Sequence, residues 1–250
     1  MRYELMFPDQ IRRAIKENWP AVLPVGVLEY HAEHCAVGVD ALVAIRAAEL
    51  LQKEMDLVLL PPFYYGAASY AVAAPEQNGT IHVPADALRH FGLELFRSLL
   101  RIGFRNVHLF FAHQTENFSA GMPTDLAFKM AAREATFEFL EKELGEGWWG
   151  SERMQNYYSD REKSADPFSW IQTHPALDAE GKKQFPTDHA GKTESSLMMA
   201  LCPEAVDMAR FSPDQWYARG ALEANVEYGR AARDAILNHM RNALKGKRHE

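Results

Sequence analysis

The sequence predicts an α/β domain built around a mainly parallel β-sheet. Three short apolar runs, at residues 21–26, 57–62 and 107–112, have the composition of strands that are covered on both faces. Helical stretches separate these runs, and such alternation is typical of βαβ units. Because 250 residues can bury a substantial core in one unit, we expect a single domain over residues 1–250.

Four helices are predicted from the spacing and type of the apolar residues. Residues 39–55 are rich in Ala and Leu, which favour helices. Residues 86–102 carry Leu at helical intervals and are followed by Gly103, a common helix end. Residues 121–144 continue the pattern, and residues 220–244 form an amphipathic stretch that we expect to pack against the sheet.

A loop-rich insert is predicted at about residues 145–186, where the chain is polar and aromatic and has no regular period. Long irregular segments in compact α/β domains usually form lids, pocket walls or subunit contacts. We therefore expect this insert to shape a substrate pocket.

Composition and charge exclude several classes of protein. Hydrophobic residues make up 47% and charged residues 24% of the chain, which excludes a disordered protein. The net charge is -7 and the basic residues are scattered, so a nucleic-acid partner is not expected. The chain has only two cysteines, which suits a reducing compartment. It has no signal-peptide pattern and no apolar run long enough to span a membrane. We therefore expect a cytoplasmic protein without a membrane partner.

Carboxylates and imidazoles crowd the segment that follows the first predicted strand. Glu29, His31 and Asp40 stand close together there. Like charges at the end of a buried strand are costly unless a cation lies among them. Imidazole nitrogen and carboxylate oxygen together bind zinc, manganese and iron(II). The segment therefore predicts a metal site.

Two further polar clusters follow along the chain. His113 and Glu116 stand just past the third predicted strand. Because the carboxyl ends of parallel strands share one edge of a sheet, these residues can meet the first cluster. Asp188, His189 and Glu194 precede a Met- and Leu-rich helical run and supply a further ligand and a proton carrier. Together the clusters offer enough ligands for two metal ions.

These clusters, in this order, resemble the motifs of the creatininase, or creatinine amidohydrolase, family. Four residues match its opening motif in type and spacing: Glu29, His31, His34 and Asp40. Residues 79–81, 103–105 and 189–196 resemble three later segments of the family. The resemblance covers almost the whole chain. It implies a three-layer α/β/α sandwich, assembled as a homo-oligomer that is commonly a hexamer.

The resemblance also implies a binuclear centre that contains two divalent ions of zinc, manganese or iron. One ion would be held by Glu29, Asp40 and His113. The other would share Asp40 and add His31 and one further carboxylate.

The carboxylate that completes the second ion site is either Glu116 or Glu194. Creatininases have a ligand Glu two residues after the metal-binding His, whereas Glu116 stands three residues after His113 and would need a one-residue insertion. We favour Glu194 as the ligand and assign Glu116 a catalytic contact with the substrate. We expect His34 to orient a ligand, a role that metal sites commonly need.

The predicted activity is hydrolysis by a metal-activated water, which opens a small cyclic amide or cleaves a related C–N bond. His189 resembles the proton-transfer His of the family, and we expect it to protonate the leaving group. Four residues are predicted to bind the substrate: Thr80, Gln114, Phe185 and Asp188. Creatininases proper carry other residues at the last three positions, so we expect a substrate other than creatinine.

Two alternatives accompany this prediction. The polar residues after His113 suit a hydroxylated ring. Relatives in the superfamily that this chain resembles open cyclic polyol diketones, so the first alternative is a carbon–carbon hydrolase of the 3-dehydro-scyllo-inosose type, as in inositol catabolism. The second is a non-catalytic family member that binds metal without turnover.

Overall fold

The computed structural model of the chain describes residues 1–113, 124–162 and 166–245. Within these ranges, four strands form one parallel sheet in the order β2-β1-β3-β4. The strands are β1 (Ala21–Val25), β2 (Val58–Leu59), β3 (Val107–Phe111) and β4 (Ile171–Pro175). The three apolar runs correctly predicted the first three strands, and the parallel sheet is confirmed.

Helices form most of the remaining regular structure. In chain order they are α1 (Pro8–Lys16), α2 (Val39–Gln52), α3 (Pro75–Asn78), α4 (Ala85–Ile102), α5 (Thr124–Leu144), α6 (Tyr157–Glu162), α7 (Ala179–Gln184), α8 (Lys192–Leu201) and α9 (Val226–Lys245). The helices predicted at residues 39–55 and 86–102 are confirmed within three residues at each end. The helix predicted over residues 121–144 is confirmed from Thr124 onwards, and residues 121–123 lie outside the described ranges. Across the described ranges, no helix combines the length and the apolar composition that crossing a membrane requires.

The last helix begins later than predicted. A 3₁₀ helix, Trp216–Glu223, occupies the first part of residues 220–244, and α9 begins only at Val226. The side-chain oxygen of Asn225 accepts a hydrogen bond from the backbone N–H of Tyr228 at 2.9 Å. Such a cap satisfies a free N–H of the first helical turn, which explains why α9 begins where it does.

The segment at residues 145–186 is more regular than the predicted loop-rich insert. It contains α6, α7 and the strand β4, which pairs in parallel with β3 from Val107 opposite Ile171 to Phe111 opposite Pro175. The strand β4 was not predicted, because most of its residues are polar and half-buried and its last residue is proline, as is typical of an edge strand. The description of this segment as loop-rich is wrong for the part that completes the sheet.

Both faces of the sheet are covered, which gives the molecule three layers. Leu23 and Val25 of β1 pack in one apolar core with residues of α4 and α5. Val22, on the opposite face of the same strand, packs in a second core with residues of α2, α8 and α9. The α/β/α sandwich is therefore confirmed.

The carboxyl ends of β1 and β3 lie side by side, because the two strands pair in register with Val25 opposite Phe111. The residue after β1 is Gly26, and a Cβ atom there would lie 2.2 Å from the backbone nitrogen of Ala41. Only glycine allows α2 to begin so close to the end of β1. This close approach holds the loop between β1 and α2 next to the residues that follow β3.

Candidate metal centre

The loop between β1 and α2 is held in place by backbone and side-chain hydrogen bonds. The N–H of Glu29 donates to the carbonyl oxygen of Val37 at 2.9 Å. The buried hydroxyl of Thr80 accepts a hydrogen bond from the N–H of Tyr30 at 3.0 Å. Thr80, predicted to bind substrate, thus holds this loop and does not line the cavity beside the site.

Five side chains from four segments converge at this edge of the sheet. They are Glu29, His31, Asp40, His113 and Glu194. Asp40 is central, since its carboxylate lies 3.2 Å from His113 Nδ1 and 3.9 Å from His31 Nε2. Two groups of three ligand atoms each lie within 4.8 Å of one another and share Asp40: Glu29, Asp40 and His113, and His31, Asp40 and Glu194. The fold thus brings together all five residues that the sequence predicted as metal ligands.

Burial makes this cluster of carboxylates costly for the protein alone. Burial raises the pKa of Glu29, and burial together with the nearby carboxylate of Asp40 raises the pKa of Glu194. Burial also opposes the ionisation of Asp40, but His113 and His31 hold the pKa of its carboxyl below the usual value. In the described part of the chain, no Lys or Arg forms an ion pair with these carboxylates. Within the described ranges, the cluster therefore has no Lys or Arg to offset its negative charge.

His31 lacks a hydrogen-bond partner where it faces the cluster, and His113 turns Nδ1 towards the carboxylate of Asp40 at 3.2 Å. His31 Nδ1–H donates to the carbonyl oxygen of Glu29 at 2.8 Å, so the neutral ring carries its lone pair on Nε2. That Nε2 lies 3.4 Å from a carboxylate oxygen of Glu194 and, like Nε2 of His113, is buried without a hydrogen bond. A lone pair facing a carboxylate is unfavourable unless a cation lies between them. The donor set therefore fits a divalent metal ion.

Asp188 holds the start of α8, the helix that carries Glu194. Its carboxylate accepts hydrogen bonds from the N–H groups of Thr193 at 2.7 Å and of Glu194 at 3.2 Å. A carboxylate oxygen of Glu194 in turn accepts a hydrogen bond from the N–H of Ala190 at 2.6 Å. Asp188 was predicted to bind substrate. Both of its oxygens are used in fixing the helix, although the residue also lines the cavity.

His34 joins the metal-binding loop to the same helix. Its Nε2 lies 2.9 Å from the hydroxyl oxygen of Ser195, and both side chains are fully buried. The Ser195 hydroxyl donates to the carbonyl oxygen of Ala190 at 3.3 Å. His34 is thus bonded to the helix that carries Glu194, and its role in orienting a ligand stays a prediction. Ser195 itself was not predicted to have a role, because only the fold places it against His34.

His189 lies beside the cluster with one ring nitrogen anchored and the other facing the site. Its Nε2–H donates to the carbonyl oxygen of Tyr30 at 2.8 Å, so Nδ1 carries the lone pair. Nδ1 lies 3.9 Å from a carboxylate oxygen of Glu29. The ring packs on that of His31, with 4.3 Å between ring centroids. Burial, with a smaller contribution from His31, lowers the pKa of His189 to about 4.

Two alanines beside the cluster have left-handed backbone conformations. Ala32 has a φ of 56° and Ala190 a φ of 50°. They follow His31 and His189 directly, and such conformations cost about 1–2 kcal/mol for a residue with a Cβ atom. Backbone strain of this kind is common where side chains must be aimed at a functional site.

Two of the predicted residues, Gln114 and Glu116, lie outside the described residues. Their roles in substrate binding and catalysis stay predictions. Phe185 is buried, packs edge-on against Tyr228 and lines the cavity beside the cluster, and its role in substrate binding also stays a prediction.

A cavity of about 640 Å³ opens beside the cluster. Asp40, His113 and Glu194 form part of its wall. Trp216 and Tyr217, from the 3₁₀ helix before α9, also line it, and Trp216 is 76% exposed. This aromatic pair was not predicted, because nothing in its segment indicates that it lies near residues so distant along the chain.

Comparison with known proteins agrees with the motifs and the fold. The sequence model of the creatininase family, described as creatinine amidohydrolase, matches residues 4–243. The creatinine amidohydrolase of Pseudomonas putida is 26% identical over 209 residues, which cover 83% of this chain and 74% of the relative. The 3-dehydro-scyllo-inosose hydrolase of Thermotoga maritima is 23% identical over 203 residues, which cover 81% of this chain and 56% of the relative.

Solved creatininase structures have the same fold. A mutant creatininase of the Zn-Zn type superposes with a TM-score of 0.68 at 20% identity, covering 98% of this chain and 96% of the other. A creatininase with Mn superposes with a TM-score of 0.66 at 18% identity, covering 98% of this chain and 97% of the other. The family match spans both predicted ion sites and nearly the full chain, and the resemblance identified from the motifs is confirmed. The chain belongs to the creatininase family of hydrolases.

Proposed function

We propose that the chain is a metal-dependent hydrolase that opens a small cyclic amide, or cleaves a related C–N bond, with two divalent ions bound in the cluster. Membership of the creatininase family supports the hydrolase class. The observation that carries the proposal is the pair of three-residue groups that share Asp40. A bridging ligand between two adjacent metal positions is typical of binuclear hydrolytic sites.

The charge of the cluster supports two ions in preference to one. Glu29, Asp40 and Glu194 contribute three carboxylates to the site. A single divalent ion would leave a buried negative charge uncompensated, whereas two ions outweigh the carboxylates by one positive charge. That surplus favours the binding of a carbonyl oxygen as negative charge develops on it.

Imidazole and carboxylate ligands suit zinc and manganese. Solved relatives of the Zn-Zn and Mn types support the same choice. When bound, such ions polarise a substrate carbonyl and lower the pKa of water.

His189 supplies the proton transfer that amide hydrolysis requires. The hydrogen bond from its Nε2–H to Tyr30 fixes the tautomer, and Nδ1 faces Glu29 with a free lone pair. Nδ1 accepts a proton from the water that attacks the carbonyl carbon. It then donates this proton to the nitrogen that leaves as the C–N bond breaks. Such general acid–base catalysis contributes about 10²- to 10⁴-fold in rate.

A second candidate function is the opening of a cyclic polyol diketone by carbon–carbon hydrolysis. It is supported by the similarity to the 3-dehydro-scyllo-inosose hydrolase, which aligns over 81% of this chain. The same metal cluster and the same proton carrier would serve this reaction, with carbon in place of nitrogen as the atom that receives the proton.

Metal reconstitution combined with a substrate panel tests the proposal. The purified protein is stripped with a chelator, reloaded with zinc or manganese, and assayed for metal content by mass spectrometry. We expect two ions per subunit, and hydrolysis of cyclic amides that disappears on chelation and returns on reloading. Hydrolysis of cyclic polyol diketones alone would favour the second candidate. Two bound ions without hydrolysis of any compound would identify a non-catalytic family member.

A further inference from the structure

One part of the cavity wall consists of hydrocarbon side chains. We call it the apolar arm, and its five residues are Val39, Val43, Leu177, Leu197 and Ile236. They come from α2, the segment after β4, α8 and α9, and each is no more than 9% exposed. The arm is therefore a buried part of the cavity wall, on the side of the sheet that α2, α8 and α9 cover.

The arm begins directly beside the metal cluster. Val43 stands three residues after Asp40 on α2, and Leu197 stands three residues after Glu194 on α8. Residues three apart on a helix share one face, so each of these carboxylates has an apolar neighbour of the arm next to it. A molecule whose reacting bond lies at the cluster therefore has hydrocarbon wall within reach of its adjacent atoms.

The chemistry of the arm selects what can occupy it. Protein interiors are close-packed, and apolar space left empty costs stability in proportion to its volume. The side chains of the arm offer no hydrogen-bond donor or acceptor, so a hydroxyl group placed among them would lose its bonds to water without replacement. The charged residues Asp188 and Lys182 also line the cavity, but they do not offer a hydroxyl group in the arm a hydrogen bond. Asp188 is bonded to the start of α8, and Lys182 is exposed.

We infer that the apolar arm binds a hydrocarbon substituent on the ring whose bond is cleaved. The substrate class is then a cyclic amide that carries an alkyl or aryl group, and not a ring hydroxylated throughout. This inference rests on the proposed function for the reacting bond, whereas binding to the arm is measurable without turnover.

A series of ring amides tests the inference. We would titrate the zinc-loaded His189→Gln protein, in which turnover should fall by about 10²- to 10⁴-fold, by calorimetry with 2-pyrrolidinone and its 5-methyl, 5-propyl and 5-hexyl derivatives. Each methylene that enters the arm should lower Kd about three- to fourfold, until the arm is full. A Kd that does not depend on chain length would overturn the inference.

A variant within the arm and a matched variant outside it locate the binding. Val43→Phe fills the arm and should weaken binding of the hexyl compound by at least about tenfold, without weakening binding of unsubstituted pyrrolidinone. Leu42→Phe, on the neighbouring position of α2 that does not line the cavity, should keep the dependence on chain length. Equal weakening by the two variants would also overturn the inference. If Val43→Phe does not fold, Val43→Thr, which keeps the shape and adds a hydroxyl, should reduce the gain per methylene.

Turnover measurements separate this inference from the proposed function. Tight binding of the hexyl compound without hydrolysis would support the arm and contradict the proposed reaction. Hydrolysis of all four compounds with equal kcat/KM and equal Kd would support the reaction and contradict the arm.

Discussion

Two groups of buried histidines lie in the same domain, and their surroundings differ. His31 faces a carboxylate at the edge of the sheet with an Nε2 that is buried without a hydrogen bond, and His113 faces Asp40 with Nδ1. His108, in β3, is just as buried, but both of its ring nitrogens are bonded. Its Nε2–H donates to the side-chain oxygen of Asn106 at 2.8 Å, and its Nδ1 lies 2.9 Å from Nε2 of His174.

The difference appears again in the protonation of the two groups. Burial, helped by the neighbouring ring of His174, lowers the pKa of His108 to about 3. Burial opposes protonation of His113 as well, yet the carboxylates of Asp40 and Glu29 raise its pKa above the usual value. A buried histidine that is satisfied by neutral partners belongs to the core. One that faces carboxylates with an unbonded nitrogen is a candidate metal ligand.

Replacing Asp40 should have the largest effect, because its carboxylate is shared by both groups of ligands. Asp40→Asn keeps the shape of the side chain but removes the charge that the ions require. We expect metal content to fall well below that of the wild-type protein, and hydrolytic activity to fall to background. Metal analysis after dialysis, with an activity assay on the same sample, measures both.

Glu49→Gln is the matched control for this change. Glu49 lies on the same helix, α2, but pairs with Arg46 at 3.0 Å on the outer side. This variant should keep both metal and activity. Full metal content in Asp40→Asn would contradict the assignment of Asp40 as the shared ligand.

Replacing His189 should remove activity without removing metal. His189→Gln loses the nitrogen that exchanges protons with the reacting groups, so kcat should fall by about 10²- to 10⁴-fold. Metal content and the far-ultraviolet circular dichroism spectrum should stay unchanged. His189 also forms a three-residue group with Glu29 and His31 whose ligand atoms lie within 4.8 Å of one another. Loss of metal in this variant would therefore make His189 a ligand and not a proton carrier.

Removing the Ser195 hydroxyl should have a smaller effect on the metal site. Ser195→Ala breaks the connection from His34 to α8 and leaves every predicted ligand in the chain. Partners that orient ligands typically contribute about 10- to 100-fold in metal affinity, and we expect a loss in this range. Competition with a chromogenic chelator measures it.

Ser196→Ala provides a comparison one residue further along α8. The hydroxyl of Ser196 accepts a hydrogen bond from the N–H of Asn225 at 3.0 Å, on the side that faces the last helix. This variant should lose stability without a change in metal affinity. Equal metal affinities in the two serine variants and the wild type would remove the role proposed for His34 and Ser195.

The sequence was sufficient to predict features that depend on local pattern. The apolar runs predicted β1, β2 and β3, since strands covered on both faces contain little else. The spacing of Glu29, His31 and Asp40 indicated a metal site, because one short segment carried the charges. The edge strand β4 was missed because half-burial allows polar residues, and its sequence resembles a loop.

The sequence could not predict contacts that only the fold creates. His34 and Ser195 are 161 residues apart, and His189 and Tyr30 are 159 apart. The side chains of Thr80 and Asp188 are suitable for substrate binding, yet the fold uses them to hold backbone N–H groups. A residue type indicates which bonds a side chain can form, and the fold decides which of them it does form.

Replacing His108 should have the smallest effect on function and a distinct effect on stability. His108→Gln lies outside the cluster, so metal content and activity should match the wild-type protein. Loss of the hydrogen bonds to Asn106 and His174 should lower the free energy of unfolding at pH 7 by about 1–3 kcal/mol. Chemical denaturation of the metal-loaded protein measures this loss.

The pH dependence of the same variant tests the contrast between the two histidine groups. The unfolded chain protonates His108 below a pKa of about 6.5, whereas the folded protein does so only below about 3. Between these values the unfolded state binds more protons, so His108 makes the wild-type free energy of unfolding decrease with falling pH by up to about 1.4 kcal/mol per unit. The variant lacks this contribution and should show a shallower decrease between pH 6 and pH 4. If the free energy of unfolding had the same pH slope in the variant and the wild type, His108 would be protonated in the folded state. Its surroundings would then resemble those of the metal ligands and not those of a core histidine with neutral partners.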